Sequence, residues 1–424
     1  MRLVRAVALL LFLACCASRG NAYSVLTHEE MVDLLWKSNI LPLIQHRFPG
    51  LTEDQIKEAH AYAYGGSVIQ DLGYYPFGSK EFSDLVHYVR SGDFVEEMLR
   101  QSQDPKEYAF ALGALAHYVS DVDGHPVVNQ AVALRYPKLR ARYGRSVTYA
   151  EDKSAHLKTE FGFDTQQVAK SRYASDQYHD FIGFEVSEPL LERAFPAVYG
   201  MDLKEVLPHE DLAIGSYRWA ISQLIPHMTK VALQLHKKQL AHESPNFQKR
   251  KFLYRLSRTE YEKSWGKSYQ KPGFGTRFLA ALLRLMPKLG PFKGLGFNDP
   301  TQTTEDLYIK SINKTYDDYK RLLEQTKTTI PKLPDRDLDT GEATRPAEYT
   351  LADDAYAKLV THLADKKFAQ ATPELRENIL SFYANPSAPV KTKKDEARWQ
   401  KVQDALTQLR SAPPAVANAA EPSQ

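Results

Sequence analysis

His117-Tyr-Val-Ser-Asp121-Val-Asp-Gly-His125 sets three side chains able to bind a metal at steps of four residues. On an α-helix a step of four advances only about 40° around the axis, so all three share one face. His156 and Glu160 repeat the i, i+4 spacing further on. Either pair alone is also ordinary helix-surface chemistry. Their joint occurrence, with Asp71 and His87 flanking a glycine-rich loop, points to a metal centre. Imidazole with carboxylate is a ligand set suited to zinc.

The rest of the chain agrees with a helical frame. Helical periodicity dominates and strand-like alternation is scarce, which predicts an all-α fold. Thr27 followed by Glu30 has capping-box spacing, so a helix is expected to start at His28. Further helices are expected at about 53–65, 80–101, 105–123, 147–160 and 209–241. Gly65-Gly66 and the Gly73–Gly78 stretch read as loops, and Gly124 with Pro126 is expected to end the third of these helices, leaving His125 at its mouth. Every candidate ligand precedes residue 161, and His362 is the one histidine between 245 and 410. This gives four parts: a leader at 1–22, a catalytic domain at 23–240, a helical C-terminal domain at 245–410 and a disordered tail at 411–424. Pro331 to Pro346 reads as a connector.

The first residues have the form of an export signal. Arg2 and Arg5 precede the apolar run 6–17, and Gly20-Asn21-Ala22 is a small-x-small cleavage site that would free Tyr23. The expectation is a periplasmic or extracellular protein. Cys15 and Cys16, the only cysteines, fall inside this leader. The mature chain then has no thiol, which excludes disulfides and thiol catalysis. Cys16 as a lipidated residue is the rival reading, with a poor lipobox before it. Three of the positive charges (Arg2, Arg5 and Arg19) also leave with the leader, so the formal +3 becomes neutral. A neutral chain argues against a nucleic-acid partner. There is no phosphate-binding Gly-x4-Gly-Lys loop and no Gly-x-Ser-x-Gly elbow.

In the order of its candidate ligands, the sequence resembles the zinc-dependent phospholipase C and single-strand nuclease superfamily. That family binds zinc through its mature N-terminal residue, then through His, Asp, His, His-x3-Asp, His and His-x3-Asp/Glu. Here the same order is Tyr23, His28, Asp71, His87, His117, Asp121, His125, His156 and Glu160. The resemblance covers residues 23 to about 240. Tyr23 stands where the best-known members have Trp, and His117 to His125 is closer-spaced than in bacterial phospholipases C and fungal nucleases. That spacing, with Leu26-Thr27-His28, looks more like the bacterial relatives of glycosylphosphatidylinositol-specific phospholipase D.

The resemblance implies a phospholipase C-like core and three zinc ions. One would be held by Asp71, His87, His117 and Asp121, a second by His125, His156 and Glu160, and a third by the Tyr23 main chain, His28 and Asp121. It implies hydrolysis of a phospholipid or related phosphodiester by zinc-activated water, with Asp71 orienting or deprotonating that water. Lipidation at Cys16 would remove the Tyr23 ligand, so the two readings of the leader compete. A nuclease or nucleotidase on the same core, and a non-catalytic zinc-stabilised helical protein, remain as alternatives. Tyr74, Tyr75 and Phe77 follow Asp71 and could line a substrate pocket or pack their loop. The apolar and basic stretch 274–297 could lie on an anionic membrane or be a buried helix. His60 and His179 are further histidines with either a site or a packing role.

Overall fold

The computed structural model describes residues 25–169, 184–221 and 300–413. Tyr23, the 1–22 leader, His179, the 274–297 stretch and residues 414–424 of the expected tail lie outside them.

Among the described residues the fold is all-α, with one isolated bridge between Arg336 and Ala343 and no strand. In chain order the helices are α1 (Val25–Leu35), α2 (Leu41–Arg47), α3 (Glu53–Gly66), α4 (Lys80–Tyr88), α5 (Ser91–Gln101), α6 (Pro105–Arg135), α7 (Pro137–Tyr143) and α8 (Lys153–Ala169). They continue as α9 (Glu188–Tyr199), α10 (Leu203–Val206), α11 (Glu210–Trp219), α12 (Gln302–Thr326), α13 (Thr350–Asp365), α14 (Pro373–Phe382) and α15 (Glu396–Ser411). A π-helical turn at Trp36–Ile40 and a 3₁₀ turn at Ile69–Tyr74 interrupt the early part.

The molecule is organised around α6, which runs for 31 residues. Its start follows from local chemistry. Asp104 accepts from the backbone N–H groups of Lys106 and Glu107 at 2.9 Å each, and Pro105 occupies the first turn, where no donor is missed. Its middle, Phe110–Ala116, is buried on every side, as expected of a helix apolar all round. α3 and α12 lie along it. The α3–α6 crossing is backbone to backbone. A Cβ on Gly66 would stand 1.9 Å from the Phe110 carbonyl oxygen, and one on Gly113 2.1 Å from that of Ala63. Gly65 and Gly66 therefore close α3 rather than forming a loop, and glycine is needed there for approach.

Four other local expectations change. α1 already includes Val25, so Thr27 is inside the helix. Its hydroxyl donates to Asp164 Oδ1 at 2.6 Å and lies 2.7 Å from the Tyr308 hydroxyl. The expected 80–101 helix breaks at Arg90, whose φ of 50° is left-handed, giving α4 and α5. The 147–160 helix begins at Lys153 instead and runs on to Ala169. α6 does not stop at Pro126 but continues through it. Proline removes one N–H and frees the carbonyl of Val122. The 337–341 turn packs on that spot, where a Cβ on Gly341 would meet the Val122 oxygen at 2.5 Å.

The C-terminal stretch is built into the same body. Tyr316, Tyr319, Leu322 and Leu323 of α12 belong to the core that also holds the buried residues of α1 to α6. The Tyr319 hydroxyl donates to the Leu112 carbonyl of α6 at 2.8 Å. α13 packs between α4 and α15. In its described part, the stretch expected as a second domain thus shares a core with the first. Nor is 331–346 a loose connector: Leu333, Asp337, Leu338 and Asp339 are buried, and the Leu338 N–H donates to the His87 carbonyl at 3.1 Å.

Candidate metal centre

Five segments deliver the eight expected side chains to one place. α1 brings His28, the 3₁₀ turn brings Asp71, and α4 brings His87. One face of α6 brings His117, Asp121 and His125, and α8 brings His156 and Glu160. None of the eight is more than 2% exposed. Their donor atoms form three groups: His28 with His117 and Asp121, Asp71 with His87 and His117, and His125 with His156 and Glu160. Within each group all donor atoms lie within 4.8 Å of one another.

Asp121 stands at the junction. Its Oδ2 is 3.0 Å from His117 Nε2 and 3.5 Å from His87 Nε2. Its Oδ1 is 3.5 Å from His28 Nε2 and 4.0 Å from His125 Nδ1. Asp71 Oδ1 lies 3.3 Å from His87 Nε2 and 3.9 Å from His117 Nε2. The ring orientations have local causes. His87 Nδ1 donates to the Ser83 carbonyl at 2.8 Å, one turn earlier on α4, and His117 Nδ1 to the Ser67 carbonyl at 3.0 Å, just past the end of α3. With Nδ1 carrying the proton, a neutral ring turns the Nε2 lone pair toward the carboxylates.

Such an arrangement is costly unless positive charge sits in it. Both oxygens of Asp71 and of Asp121 are buried without a hydrogen bond, as are His117 Nε2 and Glu160 Oε1. His156 Nε2 is 2.7 Å from Glu160 Oε1, yet the pair does not align as a hydrogen bond. Burial, with His125 adding to it, pushes the His156 pKa down to about 3. Burial, reinforced by Asp121 and Asp71, lifts Glu160 well above the usual carboxylate range. Burial holds His28 well below its ordinary value, helped by His117. For His87, burial pulls the pKa down, but Asp121 and Asp71 outweigh it and raise it well above the ordinary value. Burial raises Asp71 against the pull of His117 and His87. Burial acts upward on Asp121 too, but His117 and His125 overcome it and hold it well below its ordinary value. Without a cation the cluster is balanced by protons. A divalent ion would replace them.

The donors fit zinc in kind and spacing. Bonds of about 2.0–2.1 Å to nitrogen and oxygen give a tetrahedral ligand–ligand edge of about 3.4 Å, and the facing N···O distances around Asp121 and Asp71 run from 3.0 to 4.0 Å.

Residues 27–207 match the family model described as zinc dependent phospholipase C. That stretch carries the likeness to the zinc-dependent family, and all five segments that deliver the candidate ligands, α1, the 3₁₀ turn, α4, α6 and α8, fall within or overlap it. No curated protein and no solved structure matches the chain. α12 to α15 lie beyond the zinc-dependent phospholipase C match.

Two neighbours of the centre escaped the sequence reading. Asp164, one further step of four beyond Glu160, accepts from the Leu26 N–H at 3.0 Å and from the Thr27 hydroxyl, clamping the start of α1 next to His28. The continued i, i+4 register was its available signal. Asp339, from the 337–341 turn, places Oδ1 3.5 Å from His125 Nε2. The loop aromatics divide. Tyr74 is buried with its ring 5.9 Å from His87 and 6.4 Å from Tyr149, Tyr75 packs edge-on against Tyr217, and Phe77 is 57% exposed. His60 lies outside the centre. It stacks on Trp36 at 3.8 Å and lies 3.0 Å from Asp33 Oδ1, a buried packing role.

Proposed function

We propose that this chain is an exported phosphodiesterase that binds three zinc ions and hydrolyses a phospholipid or a related phosphodiester. The observation that carries the reading is the Asp121 carboxylate, whose two oxygens face different sets of histidines and make no hydrogen bond. A shared carboxylate of this kind suits adjacent cations, and the family match supplies their identity.

In this reading Asp71, His87, His117 and Asp121 would hold one ion, and His125, His156 and Glu160 a second. His28 and Asp121, with the freed main chain of Tyr23, would hold the third. Zinc bound there would make a water acidic and draw negative charge from the phosphodiester oxygens. In the same reading the Asp71 carboxylate would orient the attacking water and take its proton. His87 and His117 are held in register by the Ser83 and Ser67 carbonyls, so their Nε2 atoms need no reorganisation. Tyr74, beside His87, would border the substrate, and Tyr75 and Phe77 would extend that border outward. For a lipid substrate, 274–297 is the candidate contact with an anionic surface.

The test measures zinc per purified chain and hydrolysis of phosphatidylcholine, bis-p-nitrophenyl phosphate and single-stranded DNA. We expect more than two zinc ions per chain, chelator-sensitive hydrolysis of the first two substrates and flotation with anionic liposomes. Less than one zinc per chain would overturn the reading, and hydrolysis of DNA alone would replace the lipid substrate with a nucleic acid.

A further inference from the structure

We infer that Asp339, supplied by the C-terminal stretch, is a positioning residue for His125, one that fixes which ring nitrogen faces the His125–His156–Glu160 group. The inference rests on the zinc reading above and adds a residue from outside the matched region.

The turn that carries Asp339 is held on three sides. The Asp339 N–H donates to Asp337 Oδ1 at 2.9 Å, and the Gly341 N–H to the Asp337 carbonyl at 2.8 Å. The Asn129 side-chain amide donates to the Asp339 carbonyl at 2.9 Å, tying the turn to α6. The Leu338 N–H donates to the carbonyl of His87, itself a candidate ligand. The side chain is oriented as well. Its Oδ2 accepts from the Tyr88 hydroxyl at 2.8 Å and from the Tyr349 hydroxyl. Both donors use one oxygen, which leaves Oδ1 toward His125 Nε2 at 3.5 Å.

The consequence for His125 follows from the other two histidines. His87 and His117 each give an outward N–H to a backbone carbonyl and keep the other nitrogen for the cluster. Asp339 provides the same outward acceptor for His125. With the proton on Nε2, the Nδ1 lone pair faces inward. That atom is buried without a hydrogen bond and looks toward Asp121 Oδ1. A carboxylate is a stronger acceptor than a carbonyl and raises the basicity of the ligating nitrogen.

The experiment uses the full chain with D339A and D339N, reading zinc affinity by chelator competition and melting of the zinc-free protein. Removing an outer partner of this kind lowers metal affinity about 10- to 100-fold. We expect that loss for one ion of the set in D339A. D339N should lose a similar factor, because the tyrosine hydroxyls claim its oxygen and its amide then presents N–H to N–H. It keeps the volume and the tyrosine bonds, so its zinc-free melting should stay close to wild type. A structural role alone would lower melting and leave the zinc affinity of the folded protein unchanged. Zinc release from folded D339N that superimposes on wild type would overturn this inference alone. A wild-type chain that takes up no zinc would overturn it together with the proposed function.

Discussion

Asp121 and His60 are both buried polar groups on or beside α6 and α3, but they predict opposite outcomes. Asp121 faces four histidine nitrogens without a hydrogen bond, so D121N should remove more than one zinc per chain and cut hydrolysis at least about 100-fold. His60 partners Asp33, so H60Q should leave zinc content intact and lower stability by about 1–3 kcal/mol through a disturbed buried pair. Metal analysis and urea melts of both variants separate the roles. The candidate ligands were readable because His, Asp and Glu recur at steps of four, which only a helix turns into a shared face. Asp339 was not: Asp335 stands four residues before it, but the segment is not helical, so that step makes no shared face. A third carboxylate gives a pH test. Burial lifts the Asp335 pKa to about 6, aided by Asp93 and opposed by the backbone N–H groups it accepts from. The folded state then holds this proton more tightly than the unfolded chain. Its contribution is fully present below about pH 3.8 and lost as pH rises through about 6. D335N, which can keep those backbone bonds, should therefore gain stability relative to wild type across that window, on the order of 2 kcal/mol by pH 7. Melting curves at pH 4 and pH 7 check it: a difference that does not change with pH would refute it.

At the scale of the element, the end of α6 shows why helix limits were harder to read than helix faces. Gly124 and Pro126 are stop signals in isolation, yet the helix passes through both because its far side has a partner. Pro126 frees the Val122 carbonyl, and the 337–341 turn closes over it, more than two hundred residues later in the chain. Gly341 makes this closure feasible. Its φ is +72°, and an added Cβ would stand 2.5 Å from the Val122 oxygen and 3.0 Å from Pro126 Cγ. G341A should cost about 2 kcal/mol or more, combining left-handed strain with a backbone clash. Because the same turn carries Asp339, zinc affinity should fall with stability in this variant. A denaturant midpoint equal to wild type would show that the turn is not held on the kink. Thr27 teaches the same point: its capping-box spacing was real, but Asp164 and Tyr308 take its hydroxyl from other elements.

Across the whole molecule, ligands mark where chemistry sits, and they do not mark where a core ends. The boundary near 240 follows from candidate ligands that stop at Glu160, and the family match likewise ends at 207. The packing runs further. α12 covers α6 with Tyr316, Tyr319, Leu322 and Leu323, α13 packs on α4, and the 331–346 stretch holds α5 through Asp335 and α4 through His87. Apolar faces of α4 and α6 would be stripped by removing residues 300–424. At roughly 25 cal/mol per Å² of apolar surface, the lost burial of even four large side chains is about 6–12 kcal/mol, comparable to the whole stability of a typical domain. A chain ending at 299 should therefore behave as a collapsed helical state. It should keep far-UV circular dichroism, lose the near-UV signal, bind a hydrophobic dye and hold the zinc of the His125 group weakly, since Asp339 is gone. The intact chain should melt in one transition followed identically by near- and far-UV signals. A 1–299 fragment with a native near-UV spectrum and a cooperative melt would instead show that the N-terminal helices close their core alone, and the boundary read from the ligands would then also be the boundary of folding.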